Sequence, residues 1–158
     1  MGIEIERKFL VKKSKWEALK KPKGNFLKQG YILTDPDKTI RVRLNNTIGT
    51  LTIKGLSIGA TRQEFEYEIP EMEARQLLNE FVKSSLEKHR YEIVYKDKLW
   101  EVDEFHGDNV GLVIAEIELS NENEAFELPD WIDKEVTGDA KYYNSNLSIN
   151  PYLNWRLR

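Results

Sequence analysis

Segments with two chemically different faces run through most of this 158-residue chain, and this alternation most restricts its fold. In 38–46, Val42 and Leu44 alternate with Arg41 and Arg43. Because successive side chains of a strand point to opposite sides, such a segment has one apolar and one charged face. Alternation of this kind predicts strands at roughly 2–12, 26–34, 38–46, 49–55, 62–70, 86–96, 99–106 and 111–120.

Helices are predicted at only a few places. Ser14 and Glu17 have capping-box spacing, so a short helix should start at Ser14 and end by Pro22. A second helix should run over 71–83 with one apolar face. That face carries Ala74, Leu77, Leu78, Phe81 and Val82. Short helices are also expected around 122–126 and 139–149, within a single domain spanning 1–158.

The charges on the polar faces are sorted by strand: acidic in the first, fifth and eighth, basic in the third, fourth and sixth. An open sheet with one solvated face is the alternative, but solvated faces usually intersperse the two signs. A sheet with so many strands and so few helices to cover it can avoid exposed edge strands by closing into a barrel. We therefore expect an α+β, mainly β fold: a closed eight-stranded antiparallel β-barrel, a tunnel lined by the charged faces, with helices packed outside.

A charged interior predicts a charged ligand. Two unit charges about 4 Å apart interact by roughly 4 kcal/mol at an effective dielectric near 20, so crowded carboxylates need a cation and crowded Lys and Arg need an anion. A phosphate chain with Mg²⁺ or Mn²⁺ meets both needs, and the guanidinium groups of Arg41, Arg43 and Arg90 suit phosphate oxygens. An apolar ligand does not fit such a lining.

Composition restricts the partners. With 24 Lys and Arg against 27 Asp and Glu, the net charge of −3 gives no general attraction to nucleic acid or to an anionic membrane. Cysteine is absent, which excludes thiol chemistry and disulfides. No apolar run approaches the roughly 18 residues of a membrane span, and the acidic N-terminus is unlike a secretory signal. We expect a cytoplasmic protein with a small-molecule ligand; a homodimer is compatible with the sequence.

An ordered series of motifs resembles the CYTH superfamily, the triphosphate tunnel metalloenzymes. The Glu4-Ile5-Glu6-Arg7-Lys8 segment is similar to its ExExK signature, and the resemblance covers nearly the whole chain. The other matching segments are Arg41-Val42-Arg43, Thr52-Ile53-Lys54, 62–68, 88–91, Glu101-Val102-Asp103, 115–118 and 135–139.

The resemblance implies an eight-stranded tunnel that binds a triphosphate with a divalent metal. By position it implies phosphate contacts from Lys8, Arg41, Arg43, Lys54, Lys88 and Arg90. It implies metal contacts from Glu4, Glu6, Glu64, Glu66, Asp103, Glu116 and Glu118, whereas Glu68 shares their face but falls outside the matched pair. In the C-terminal motif, Lys141 is expected at the tunnel mouth.

The chemistry expected is attack of water on a phosphate. Glu6 or Glu118 is the predicted proton acceptor, and Tyr31 the predicted donor to the leaving group. The resemblance places Tyr31 near Lys88, whose charge would favour ionisation of the phenol. The alternative for Tyr31 is an ordinary strand aromatic.

Several functions fit this tunnel. Hydrolysis of inorganic tripolyphosphate comes first, because the small bacterial members that this chain resembles are mainly inorganic triphosphatases. The alternatives are a thiamine or nucleoside triphosphatase, a class IV-type adenylate cyclase, and a polyphosphate-binding module without turnover. The many carboxylates disfavour the last, since binding a polyanion alone does not require them.

Overall fold

The computed structural model describes residues 2–155 and confirms the closed antiparallel barrel. Nine strands are present in this range. They are β1 (Gly2–Val11), β2 (Asn25–Asp35), β3 (Lys38–Asn45), β4 (Ile48–Gly55), β5 (Thr61–Ile69), β6 (Ser84–Tyr95), β7 (Lys98–Phe105), β8 (Val113–Glu118) and β9 (Ile132–Glu135). Eight of them close the barrel in the order β5-β4-β3-β2-β6-β7-β8-β1, and β9 was not predicted.

Strand β1 closes the barrel because each of its halves has different partners. Its Gly2–Ile5 half pairs with β5, and Glu6 to Leu10 pair with β8. Near its end, Phe9 and Val11 pair with β9, which continues the edge that β5 leaves. The ExExK segment therefore lies in the strand that joins the two sides of the sheet.

The helices are shorter than predicted. They are α1 (Lys13–Ala18), α2 (Glu71–Glu80), α3 (Asn144–Leu147) and α4 (Tyr152–Trp155), with single 3-10 turns at Gly107–Asn109 and Ala140–Tyr142. Ser14 lies inside α1 and makes no capping hydrogen bond, so the predicted capping box is wrong. Residues 122–123 form a turn and 124–126 have no regular secondary structure, so the helix predicted at 122–126 is absent. The predicted 139–149 helix is interrupted at Tyr143, whose backbone is extended.

Helices cover only part of the outside of the barrel. Trp16 of α1 joins the outer faces of β1, β7 and β8 in one buried cluster with Trp100 and Trp131. Helix α2 packs Ala74 and Leu78 against β3 and β4, while Phe81, beyond its end, is exposed. The outer faces of β4 and β5 stay open at Ile53, Phe65 and Tyr67, each of which is at least 39% exposed. No helix within residues 2–155 has both the length and the apolar character needed to cross a bilayer.

The inner faces of the strands change character along the barrel. Leu86 shares the face of Lys88, Phe105 that of Asp103, and Ile114 that of Glu116, since each pair is two residues apart. These apolar side chains form a second buried cluster, which we call the apolar end. Its members are Leu86, Phe105, Leu112, Ile114, Val136, Tyr142 and Leu147. The barrel is therefore filled by apolar side chains on one side of the charged layer, a division that strand alternation did not predict.

Candidate functional site

Charged side chains from seven of the eight barrel strands line one cavity of about 210 Å³ inside the barrel. Most of the predicted site residues are among them: Glu4, Glu6, Lys8, Tyr31, Arg41, Arg43, Lys54, Glu64, Glu66, Lys88, Arg90, Glu116 and Glu118. The lining also includes residues that were not predicted as site residues: Thr39, Arg62, Glu101, Tyr143, Asn144 and Ser145. None of these lining side chains is aliphatic.

The acidic strands lie side by side, which brings their carboxylates together. Strand β1 lies between β5 and β8, so Glu4 faces Arg62 across one ladder and Glu6 faces Glu118 across the other. Burial and the neighbouring Glu116 carboxylate raise the pKa of Glu6 to about 7. Burial also raises the pKa of Glu64 and Glu118. The negative side of the cavity therefore resists complete ionisation.

The basic residues form a second crowded group. Arg41 and Arg43 lie on β3 and Arg90 on β6. Burial, followed by repulsion from Arg41 and Arg90, lowers the pKa of Arg43 to about 10. Arg43 forms no salt bridge with any Asp or Glu among residues 2–155. Its guanidinium group is the best placed in the cavity to bind an anion.

Salt bridges join the two groups at their boundary. Lys8 Nζ lies 2.5 Å from Glu116 Oε2, and Arg90 Nη2 lies 3.1 Å from Glu116 Oε1. Burial opposes the charge of Glu116, but Lys8 and Arg90 hold its pKa well below the ordinary value. On the other side, Lys54 Nζ lies 3.2 Å from Glu4 Oε1. Burial likewise opposes the charge of Glu4, and Lys54 keeps its pKa at about 2.

Asp103 and Lys88 lie deepest, against the apolar end. Both are about 1% exposed, and Lys88 Nζ lies 2.8 Å from Asp103 Oδ2. Arg90 contacts the same carboxylate with Nε and Nη2, at 2.8 and 2.9 Å. Burial lowers the pKa of Lys88 to about 7 against the attraction of Asp103. Asp103 is thus already paired with two cations, which makes it a poorer metal ligand than the resemblance implied.

Two predicted site residues, Lys141 and Asp103, are not part of the cavity lining. Lys141 does not line the cavity; its Nζ lies 5.2 Å from the Tyr142 ring centroid and 5.0 Å from that of Trp155. Glu68, which shares the inner face of β5 but was set apart from the predicted set, is exposed near the end of β5 and also does not line the cavity. The rest of the predicted set meets because the closed barrel turns the polar face of each strand inward.

Tyr31 is in the cavity but is not in direct contact with Lys88. Gln29 Nε2 donates to the Tyr31 hydroxyl oxygen at 3.0 Å, while Lys88 Nζ donates to Asn144 Oδ1 at 2.8 Å. Burial raises the pKa of Tyr31, and Arg41 opposes that shift. The expected ionisation of Tyr31 by Lys88 therefore does not fit the structure, whereas a protonated phenol able to donate does.

The carboxylates suit a hard divalent cation. Glu6 and Glu116 lie within hydrogen-bonding reach of each other, as do Glu4 and Glu64, so each pair can supply several oxygen ligands. Across residues 2–155, no group of three His, Asp or Glu side chains is arranged as a complete ligand set. Mg²⁺ commonly takes only one or two carboxylates and fills its remaining positions with water and substrate phosphates. The residues therefore fit a cation that binds together with a phosphate chain.

Strand alternation could have predicted two of the additional cavity residues, Arg62 and Glu101. Arg62 has the parity of Glu64 on β5, and Glu101 has that of Asp103 on β7. Tyr143, Asn144 and Ser145 come from the C-terminal segment, where no periodic pattern places a side chain. Only the folded structure shows that this segment reaches the cavity.

The crowding of Glu6 and Glu116 predicts a pH-dependent stability difference. Because the pKa of Glu6 is raised from an ordinary value near 4.5 to about 7, the folded state holds a proton that the unfolded state releases. In metal-free buffer, the unfolding free energy of the wild type should fall relative to Glu6→Gln by up to about 1.4 kcal/mol per pH unit from pH 4.5 to 7. Above pH 7 the difference should level off.

Urea unfolding of both proteins across this pH range measures the difference. The exposed substitution Glu73→Gln on α2 is the control and should give parallel curves. A constant difference between wild type and Glu6→Gln at all pH values would contradict the crowding described here.

The comparisons with known proteins agree with this geometry. Residues 2–147 match the family model described as the CYTH domain. The chain is 52% identical over 157 residues, 99% of both chains, to the inorganic triphosphatase of Acetivibrio thermocellus.

Solved structures are similar as well. The crystal structure of the inorganic triphosphatase NE1496 is 32% identical, with a TM-score of 0.63 over 92% of this chain and 94% of that one. The PH1012 protein of Pyrococcus horikoshii, 23% identical with a TM-score of 0.58 over 76% of this chain and 80% of that one, shares the fold. On the family match and the close relative together, this chain belongs to the CYTH domain family.

Proposed function

We propose that this protein is a metal-dependent hydrolase that splits inorganic tripolyphosphate into pyrophosphate and orthophosphate. The observation that carries the proposal is that one buried cavity holds both a crowded acidic group and a crowded basic group. Glu6 lies beside Glu116 in the first, and Arg43 lies beside Arg41 and Arg90 in the second. An anion relieves the basic group and a cation relieves the acidic one. The 52% identical relative named an inorganic triphosphatase supports the same function.

The size and lining of the cavity favour an inorganic substrate over a nucleotide. A volume of about 210 Å³ is below the roughly 300–1,000 Å³ of pockets that enclose drug-sized ligands. Tyr31 and Tyr143 are the only aromatic residues among the described lining, and neither has an aliphatic neighbour there. A nucleoside base would find little apolar surface, which disfavours the adenylate cyclase and nucleoside triphosphatase alternatives.

The basic residues would hold the phosphate chain. Arg43 has no carboxylate partner among the described residues, so it can turn both guanidinium edges toward phosphate oxygens. Arg41 Nη2 is fixed by Thr52 Oγ1 at 3.1 Å, and Lys54 bridges Glu4 and Glu64. Lys8, Lys88, Arg62 and Arg90 complete the positive lining. Fixed positive groups of this kind stabilise the charge that develops in phosphoryl transfer.

The carboxylates would hold the metal and move a proton. The ligands that we propose for Mg²⁺ or Mn²⁺ are the two carboxylate pairs, Glu4 with Glu64 and Glu6 with Glu116. The other predicted metal ligands, Glu66, Glu118 and Asp103, belong to neither pair. A divalent cation bound there neutralises phosphate charge and makes water more acidic. Glu6 lines the cavity and is the proposed acceptor of a proton from the attacking water. Glu118, opposite Glu6 in the β1–β8 ladder, is the alternative acceptor.

Tyr31 would supply a proton to the leaving pyrophosphate. Its side chain lines the cavity, and burial keeps its pKa above the ordinary value. A protonated phenol is the state that a donor requires. The cytoplasmic location and the homodimer stay predictions.

Phosphate release from a substrate panel tests the function. Tripolyphosphate, ATP, GTP, thiamine triphosphate and pyrophosphate are each incubated with Mg²⁺, with Mn²⁺ or with excess chelator. We expect rapid release from tripolyphosphate with a divalent cation and none in chelator. Activity that persists in chelator would contradict the metal role, and cyclic AMP formed from ATP would favour a cyclase.

Replacing Arg43 tests the anion site. Because this guanidinium group is crowded by Arg41 and Arg90, Arg43→Met should leave stability unchanged or raise it. Its KM for tripolyphosphate should rise about tenfold or more, the loss that corresponds to a hydrogen bond to a charged group. Arg75→Met on the exposed side of α2 is the matched control. An unchanged KM for Arg43→Met would remove Arg43 from the phosphate site.

A further inference from the structure

A chain of four polar groups connects Lys88 to Tyr31 at the base of the cavity. Lys88 Nζ donates to Asn144 Oδ1 at 2.8 Å. Gln29 Nε2 lies 3.2 Å from the same oxygen and 3.0 Å from the Tyr31 hydroxyl. Gln29 is fully buried, and neither it nor Asn144 was among the predicted site residues.

Lys88 determines the direction of each hydrogen bond that links it through Asn144 and Gln29 to Tyr31. In its ammonium form, paired with the Asp103 carboxylate at 2.8 Å, Lys88 has hydrogens to donate and no lone pair to offer. Asn144 must therefore present its oxygen to Lys88. The Gln29 atom facing that oxygen must be the donor nitrogen, because the reversed amide would bring two oxygens together. The Tyr31 oxygen, next to the same nitrogen, must then accept.

With the hydrogen bonds in this direction, the hydroxyl hydrogen of Tyr31 has no acceptor among the described residues. A phenol that accepts from Gln29 still has its own O–H to donate. The Tyr31 side chain lines the cavity, and no residue among 2–155 accepts that hydrogen. The proton therefore points toward the space where the phosphate chain would bind.

Gln29 holds this position at a cost to stability. Its Oε1 is buried without a hydrogen-bond partner in the described part of the chain. Unpaired buried amide oxygens are unfavourable, and an apolar side chain of the same size would avoid the problem. Residues that break a stability rule next to a reacting group are the ones expected to serve function.

We infer that Gln29, held by Asn144 and Lys88, is a positioning residue that orients the Tyr31 hydroxyl to donate its proton to the leaving phosphate. The inference rests on the proposed hydrolysis of tripolyphosphate. Gln29 does not touch the substrate; it acts through Tyr31. Asn144, at the start of α3, carries the connection from the C-terminal segment to the base of the cavity.

A double-mutant cycle tests the inference. Gln29→Met keeps the size of the side chain and removes both hydrogen bonds. It should lower kcat for tripolyphosphate about tenfold, the loss that corresponds to one hydrogen bond, with KM changed by less than about twofold. In a Tyr31→Phe background the same substitution should leave kcat unchanged, because there is no hydroxyl left to orient. Gln76→Met on the exposed face of α2 is the matched control.

A structural role would give a different result. If Gln29→Met lowers kcat by the same factor in both backgrounds, or does not lower it in the wild type, the inference is overturned. Tyr31→Phe with a wild-type kcat would also overturn it.

Asn144→Ala provides a second route if Gln29→Met does not fold. Asn144 is only half-buried, and its alanine variant should likewise lose kcat in the wild type but not beside Tyr31→Phe. Equal losses in both backgrounds would again count against the inference. A wild-type protein that releases no phosphate from tripolyphosphate would instead show, before any variant is compared, that the proposed function has failed.

Discussion

The main constraint on the structure is the burial of like charges next to one another inside a closed barrel. Glu6 and Glu116 crowd the acidic side of the cavity, and Arg43 lies beside Arg41 and Arg90 on the basic side. Salt bridges such as Lys8–Glu116 and Lys54–Glu4 neutralise only the boundary between the two sides. Buried ion pairs of this kind add little net stability, because desolvation offsets their attraction. The free energy for folding must come from the apolar clusters outside and at one end of the barrel.

Those clusters explain how the strands tolerate such an interior. The outer cluster around Trp16, Trp100 and Trp131 fixes β1, β7 and β8 against α1. The apolar end fills the barrel beyond Lys88 and Asp103, so the charged layer has a rigid base. A preorganised base allows charged side chains to keep their positions before a ligand arrives, which is the condition for electrostatic stabilisation of a transition state.

Sequence alternation predicted much of this fold and site. The parity of Arg41, Lys88 and Glu116 within their strands placed each of them on the inner face, and closure followed from sorted charges and few helices. The order of acidic and basic strands also indicated a ligand with both signs. These features are local, with a period of two residues, so a single sequence carries them.

Other features depend on contacts between distant segments. Leu86 lies two residues before Lys88 on the inner face of β6, and the sequence shows only that this residue is apolar. The C-terminal segment that completes the apolar end has no strand pattern. Asn144 reaches Lys88 across 56 residues. Lys141 was expected at the cavity from a motif, yet it packs over Tyr142 and Trp155. The segment predicted as one helix is divided into a 3-10 turn and α3 by the extended backbone of Tyr143, a division that propensity could not predict.

Like charges on both sides of the cavity require a cation and an anion together. Thermal unfolding can be measured with Mg²⁺ alone, with a non-hydrolysable imido analogue of tripolyphosphate alone, and with both. Since each ion removes a different set of like-charge contacts and attracts the other, the rise in Tm with both present should exceed the sum of the separate rises. A combined rise that equals that sum, or a Tm unaffected by either ion, would contradict the account.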